Sequence, residues 1–117
     1  MPHSKKAGKA NIVEWVEQLK AENKLTHQKA LDIGVGEGAY LNWLTHKYIP
    51  GGDKFQTLEQ QWDINAGPLA GNKWTGVEVW EPYIKEFKLE SKYDTIINQD
   101  VRELDYANLG PFDVAVA

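Results

Sequence analysis

Apolar residues recur at helical spacing in two stretches near the start of the chain. In residues 11–23 they fall about one helical turn apart, and Asn11 supplies an N-cap, so a helix is predicted there. Residues 38–49 show the same spacing, and the Pro-Gly-Gly run at 50–52 ends this second predicted helix.

Four short runs, apolar or rich in β-branched and aromatic residues, predict strands. They occupy residues 29–33, 74–80, 93–98 and 112–117. A helix beginning at Glu81-Pro82 separates the second run from the third, and residues 102–109 predict a turn or short helix. Strands that alternate with helices predict an α/β fold, here a Rossmann-like, mostly parallel sheet with flanking helices and four strands.

Residues 53–73 have little periodicity and contain Gly67, Pro68 and Gly71. They predict a long loop with at most one helical turn, near Leu58. Loops of this length in compact domains are usually functional or disordered.

The composition is that of one globular domain. The chain has 117 residues, 42% of them hydrophobic, and five tryptophans. No apolar run is long enough to span a bilayer, and the lack of cysteine excludes disulfides, thiolate zinc sites and cysteine nucleophiles. The three histidines are widely spaced, so no metal site is predicted. We expect a cytoplasmic protein with no membrane partner.

The formal net charge of −4 is unevenly distributed. Residues 1–30 carry six lysines and three glutamates, whereas residues 76–117 carry nine acidic and four basic residues. The basic start predicts a flexible tail over residues 1–10, with contact to nucleic acid as the alternative. The domain is expected to occupy residues 11–117.

Three alternate glycines, Gly34, Gly36 and Gly38, follow the first predicted strand. Glycines there let the backbone turn sharply and approach a ligand, and parallel sheets bind ligands at the carboxyl ends of their strands. The spacing also fits the dinucleotide pattern G-x-G-x-x-G/A. However, the carboxylates of Asp32 and Glu37 would repel a pyrophosphate and favour a ligand with a positive charge, such as S-adenosylmethionine. A tight turn that binds no ligand is the remaining alternative.

Four segments resemble class I S-adenosylmethionine-dependent methyltransferases, in the family's order. LDIGVGEG is similar to the first motif, and TGVEVWEPYI to the second strand with its terminal acid. INQDVREL is similar to the third-strand region, and PFDVAVA to the fourth strand. The resemblance covers about residues 29–117.

The resemblance implies a set of cofactor-binding residues along these segments. They are Asp32, Gly34, Gly36, Gly38, Glu78, Val79, Asp100 and Val101. Asp32 and the glycines would face the methionine end, Glu78 the ribose hydroxyls, and Asp100 the adenine amino group. Val79 and Val101 would lie against the adenine. Glu78→Ala is expected to weaken cofactor binding with little loss of fold.

The function that this resemblance implies is methyl transfer to an unknown acceptor. Residues 11–117 would form the cofactor-binding half, and no catalytic base is assigned. The alternatives are a module that binds S-adenosylmethionine without transferring a methyl group, and a nicotinamide-dependent oxidoreductase.

Two departures from the family pattern accompany the resemblance. Gly38 and Glu78 are 40 residues apart, whereas dinucleotide folds place the ribose acid about twenty residues after the glycines. The family also continues beyond its fourth strand, so the sheet is expected to be incomplete. We therefore expect residues 112–117 to form an edge strand with an uncovered apolar face, either in a fragment of a longer protein or in a homo-oligomer.

Overall fold

A computed structural model describes residues 6–25, 28–49 and 62–117. The helices are α1 (Lys6–Ala21), α2 (Ala39–Thr45), α3 (Glu81–Glu86), α4 (Leu89–Lys92) and α5 (Tyr106–Leu109). The strands are β1 (Lys29–Ile33), β2 (Lys47–Tyr48), β3 (Trp62–Asp63), β4 (Lys73–Val77), β5 (Thr95–Ile97) and β6 (Val114–Val116). A short 3-10 turn spans Val101–Glu103.

The main sheet has four parallel strands in the order β5-β4-β1-β6. This confirms the predicted fold class, an incomplete Rossmann-like α/β sheet with flanking helices. The order reverses at β1: the chain adds β4 and β5 on one side of it and β6 on the other. Ligands bind such sheets at this kind of switch point.

Helix α1 begins at Lys6, five residues before the predicted N-cap Asn11. The helix therefore includes half of the segment that was predicted to be a flexible tail, and the side chain of Lys9 is only 5% exposed. The helix start predicted at residue 11 was wrong, and the burial of Lys9 is a tertiary contact that the local capping signal does not reflect. Residues 1–5 lie outside the described residues.

Helix α2 ends at Thr45, four residues before the predicted end, because the next residues pair as a strand. Strand β2 pairs antiparallel with β3. The rings of Trp43, Tyr48 and Trp62 pack together with centroids 5.0–5.1 Å apart. These contacts hold the extended conformation against the helical pattern. The turn predicted near Leu58 lies outside the described residues.

The inner face of β6 is covered, which corrects one expectation. Val114 and Val116 are 6% and 8% exposed and belong to the same core cluster as Val16 of α1. The sequence expectation of an uncovered apolar face considered only a helix following β6, whereas α1 precedes β1 and packs in this layer. Ala115, on the opposite face, is exposed. Strand β6 is an edge of the described sheet, and assembly through it stays a prediction.

Gly67 packs against the last turn of α2. Its N–H donates to the Thr45 carbonyl at 3.1 Å, and a Cβ atom at Gly67 would lie 2.4 Å from the Leu44 carbonyl oxygen. A backbone oxygen at this distance cannot be accommodated without moving the helix or the loop. The described end of the predicted loop is therefore docked closely on α2.

We expect Gly67→Ala to lower the free energy of unfolding by about 1–3 kcal/mol, the usual cost of forcing atoms into a packed site. Urea denaturation measures this change. Gly71→Ala is the matched control, because a Cβ atom there would meet nothing within 4 Å, and it should change stability by less than about 0.5 kcal/mol. Equal stability of the two variants would contradict the docking of Gly67.

Candidate functional site

The carboxyl ends of three neighbouring strands meet at one edge of the sheet. Ile33 of β1 is in register with Val77 of β4, which is in register with Ile97 of β5. The next residues, Gly34, Glu78 and Asn98, therefore follow their strands side by side. Parallel pairing thus brings the predicted glycines and the predicted ribose acid to the same edge.

Hydrogen bonds join these three strand ends. The N–H groups of Gly34 and Val35 lie 2.9 and 3.3 Å from the Val77 carbonyl oxygen. The Asn98 side-chain amide donates to the carbonyls of Glu78 and Val79, at 2.8 and 3.1 Å. The backbone at this edge is consequently held by contacts across the strands.

The glycine loop, residues 34–38, takes a conformation that suits glycine. Gly34, Gly36 and Gly38 have φ values of 68°, 59° and 86°, in the left-handed region that L side chains rarely adopt. Gly38 immediately precedes the first residue of α2. The positions predicted from the spacing of the glycines thus form a sharp strand-to-helix turn.

The side chain of Glu78 is hydrogen-bonded to the glycine loop. Its side chain is nearly buried, with 6% exposed. One carboxylate oxygen accepts from the Gly36 N–H at 2.8 Å, and the other from the Trp80 N–H at 2.9 Å. A carboxylate offers about four acceptor sites, so about two are not used by these two bonds.

Asp32 is fully buried beneath the same loop. Its Oδ2 accepts from the Tyr93 hydroxyl at 2.6 Å, and its Oδ1 has no hydrogen-bond partner among the described residues. Burial raises the pKa of Asp32 to about 7, the hydrogen bond from Tyr93 opposes that rise, and the charge of Glu78 adds to it. Asp32 therefore carries one buried oxygen that has no hydrogen-bond partner in the described residues.

Asp100 and Val101 lie past the end of β5, and their hydrogen bonds are local. The Arg102 guanidinium and N–H donate to the Asp100 carboxylate at 2.6–3.2 Å and lower its pKa to about 2. Tyr106 donates its hydroxyl to the Val101 carbonyl at 2.8 Å. In the described part of the chain, none of these bonds reaches the glycine loop, so the structure does not join these two residues to the other predicted site residues.

Two exposed apolar side chains follow Glu78. Val79 is 66% exposed and Trp80 is 58% exposed. Large apolar side chains exposed beside a cleft or strand edge are suited to contact the flat face of a ring. Val79 was predicted as a cofactor contact, and the structure leaves its side chain accessible.

Sequence reasoning missed two residues that organise this edge, Tyr93 and Asn98. Both were assigned only to the third strand. Asn98 is the polar last residue of its predicted run, and a polar residue at the end of a strand was a usable signal for it. The sequence carries no comparable signal for Tyr93, whose partner Asp32 is 61 residues away.

A groove of about 810 Å³ lies away from the glycine loop, between α1 and the segment around Gly67. Within residues 6–25, 28–49 and 62–117, no three His, Cys, Asp or Glu side chains are grouped closely enough to hold a metal ion. In the same residues, no helix has the length and apolar character needed to cross a bilayer.

Comparison of the chain with protein-family models, with curated proteins and with solved structures gave no match. The likeness to methyltransferases therefore rests on the four sequence segments quoted above. A function for this chain is therefore inferred from the residues of the site.

Proposed function

We propose that the protein binds S-adenosylmethionine at the glycine loop and forms the cofactor-binding part of a methyltransferase. The observation that supports this most is the free Oδ1 of Asp32, a fully buried carboxylate oxygen without a partner in the described residues. Buried polar atoms are nearly always hydrogen-bonded, so such an atom requires an explanation. The α-ammonium of S-adenosylmethionine, directly or through one water, would satisfy it.

The other site residues suit the rest of this ligand. The acceptor sites left on Glu78 would receive the ribose hydroxyls, and Val79 offers an exposed apolar surface for the adenine. Asp100 would have to accept the adenine amino group while it keeps its contacts with Arg102. The Val101 N–H would face an adenine ring nitrogen.

Bound S-adenosylmethionine would supply an activated methyl group on its sulfonium. The residues of this chain would then have to bind the cofactor and orient it toward an acceptor. They would contribute the glycine loop, the hydrogen bonds that the Glu78 carboxylate accepts from Gly36 and Trp80, and the buried Asp32. The acceptor and any base are not assigned to residues of this chain.

Charge argues against a dinucleotide as the ligand. Asp32, Glu37 and Glu78 place three carboxyl groups in or beside the glycine loop. A pyrophosphate would be repelled by those that are ionised, whereas the cationic end of S-adenosylmethionine would be attracted.

Isothermal titration calorimetry with three ligands tests the proposal. S-adenosylmethionine and S-adenosylhomocysteine should bind, and NAD should not. NAD binding more tightly than S-adenosylhomocysteine would contradict the assignment and favour a nicotinamide-dependent enzyme. Binding of both sulfur ligands without methylation of any acceptor by the complete protein would favour a module that binds the cofactor without transfer.

A further inference from the structure

We propose that Tyr93 is a positioning residue for this site: its hydroxyl holds one oxygen of Asp32 so that the other oxygen meets the amino-acid end of the cofactor. This inference rests on the proposed function, because it assigns a task to a residue that acts through Asp32. Tyr93 itself is not expected to touch the cofactor.

Packing fixes the ring of Tyr93 beneath the glycine loop. The side chain is only 4% exposed, and the ring meets that of Trp74 edge-on, with centroids 6.4 Å apart. Its hydroxyl lies 3.5 Å from the point where a Cβ atom on Gly38 would stand. A Cβ atom there would be in ordinary van der Waals contact with the hydroxyl, so the hydroxyl lies directly against Gly38 at the end of the glycine loop.

The hydrogen bond from Tyr93 fixes the orientation of the Asp32 carboxylate. A carboxylate can rotate about its last bond, and a single donor at 2.6 Å to Oδ2 selects one orientation. Oδ1 is left as the free acceptor. Burial and the charge of Asp32 raise the pKa of Tyr93, so its hydroxyl keeps the proton that it donates.

The same hydrogen bond affects the charge on Asp32. Burial favours the neutral acid and donation by Tyr93 favours the carboxylate, so Tyr93 keeps more of Asp32 ionised near neutral pH. Glu78, at the end of β4, acts in the opposite direction through its negative charge. Helix α1 contributes Lys9, whose charge interacts with Glu37 in the loop.

The variant Tyr93→Phe removes the hydroxyl and keeps the ring. Its affinities for S-adenosylhomocysteine and for methylthioadenosine, which lacks the amino-acid end, should be measured by calorimetry over a range of pH. We expect S-adenosylhomocysteine to bind about tenfold more weakly near neutral pH, as for the loss of a hydrogen bond to a charged group. Methylthioadenosine lacks the amino-acid end that Asp32 would contact. Its affinity should therefore stay within about twofold of the wild-type value, which is well under 1 kcal/mol.

The pH profile separates a positioning role from a purely structural one. Wild-type affinity for S-adenosylhomocysteine should rise as Asp32 ionises, and in Tyr93→Phe this rise should move to higher pH by about one unit. Trp74→Phe is the control, because it alters the packing of the same ring and leaves the hydroxyl. It should change stability without moving the pH profile.

A double variant keeps the inference falsifiable if Tyr93→Phe folds poorly. In an Asp32→Asn background, which lacks the buried charge, Tyr93→Phe should have no further effect on S-adenosylhomocysteine affinity. The inference is overturned if the single variant weakens both ligands equally with no pH shift, or if the two substitutions act additively. If the wild type binds neither ligand, the proposed function itself fails, and this inference fails with it.

Discussion

Replacing Glu78 by alanine is expected to weaken S-adenosylhomocysteine binding and to destabilise the fold. The binding loss should be about tenfold or more, because charged acceptors make the stronger hydrogen bonds, about 1.5–3 kcal/mol each. The structure adds the second effect, because the substitution leaves the buried N–H of Gly36 and the partly buried N–H of Trp80 without their carboxylate. We expect the free energy of unfolding to fall by about 2–4 kcal/mol.

Glu81→Ala is the matched control for this variant. It makes the same substitution three residues later, at an exposed side chain that pairs with Lys85 at 3.4 Å. Its effect on the free energy of unfolding should stay below about 0.5 kcal/mol. If urea denaturation found Glu78→Ala as stable as Glu81→Ala, the hydrogen bonds of Glu78 to Gly36 and Trp80 would not stabilise the fold. Unchanged affinity for S-adenosylhomocysteine would place the ribose site elsewhere.

Replacing Asp32 by asparagine is expected to stabilise the protein at alkaline pH and to weaken ligand binding. The pKa of Asp32 is raised from 3.8 to about 7 in the folded state, so folding favours the protonated acid. Its stabilising effect is complete below the unfolded pKa and is lost as the pH rises through the folded pKa. Above both values the buried charge costs about 4 kcal/mol, at 1.36 kcal/mol per pKa unit.

Urea denaturation of Asp32→Asn and the wild type at two pH values tests this sign. The variant should be the more stable at about pH 8, and its advantage should shrink by about 2–3 kcal/mol at about pH 5, where folded Asp32 is protonated. Asp63→Asn, at an exposed position of β3, should show a small difference at both values. A stability difference for Asp32→Asn that does not change with pH would rule out a buried, proton-binding Asp32.

Calorimetry on the same variant measures its function. An asparagine cannot supply the negative charge for an ammonium, so S-adenosylhomocysteine should bind about tenfold more weakly. A variant that is both more stable and less able to bind would identify Asp32 as a site residue that costs stability. Unchanged affinity would leave the buried charge without a role in this ligand site.

Local patterns were sufficient to predict the main sheet. The strand runs are short and either apolar or rich in β-branched and aromatic residues, and the helices between them favour parallel pairing. Right-handed crossovers then restrict the order in which these strands can lie. The same logic placed the glycines at the carboxyl edge, because they directly follow the first predicted strand. Glu78 lay inside the predicted run 74–80 and was assigned to the site by the resemblance alone.

The elements that were missed depend on contacts between distant parts of the chain. Strands β2 and β3 have two residues each, too few for any periodicity, and they are held by the ring contacts of Trp62 with Trp43 and Tyr48. Glu78 was predicted as a ligand residue, yet its bond to Gly36 spans 42 residues and leaves no local signal. For this reason the sequence-based prediction was that Glu78→Ala would cause little loss of fold.

An amide NMR titration with S-adenosylhomocysteine tests most directly whether S-adenosylmethionine binds at the glycine loop, as proposed. Saturable shifts are expected at the amides of Gly34, Gly36, Gly38 and Val79, all with one dissociation constant. Shifts confined to the groove beside α1, or no shifts at all, would contradict binding at this loop.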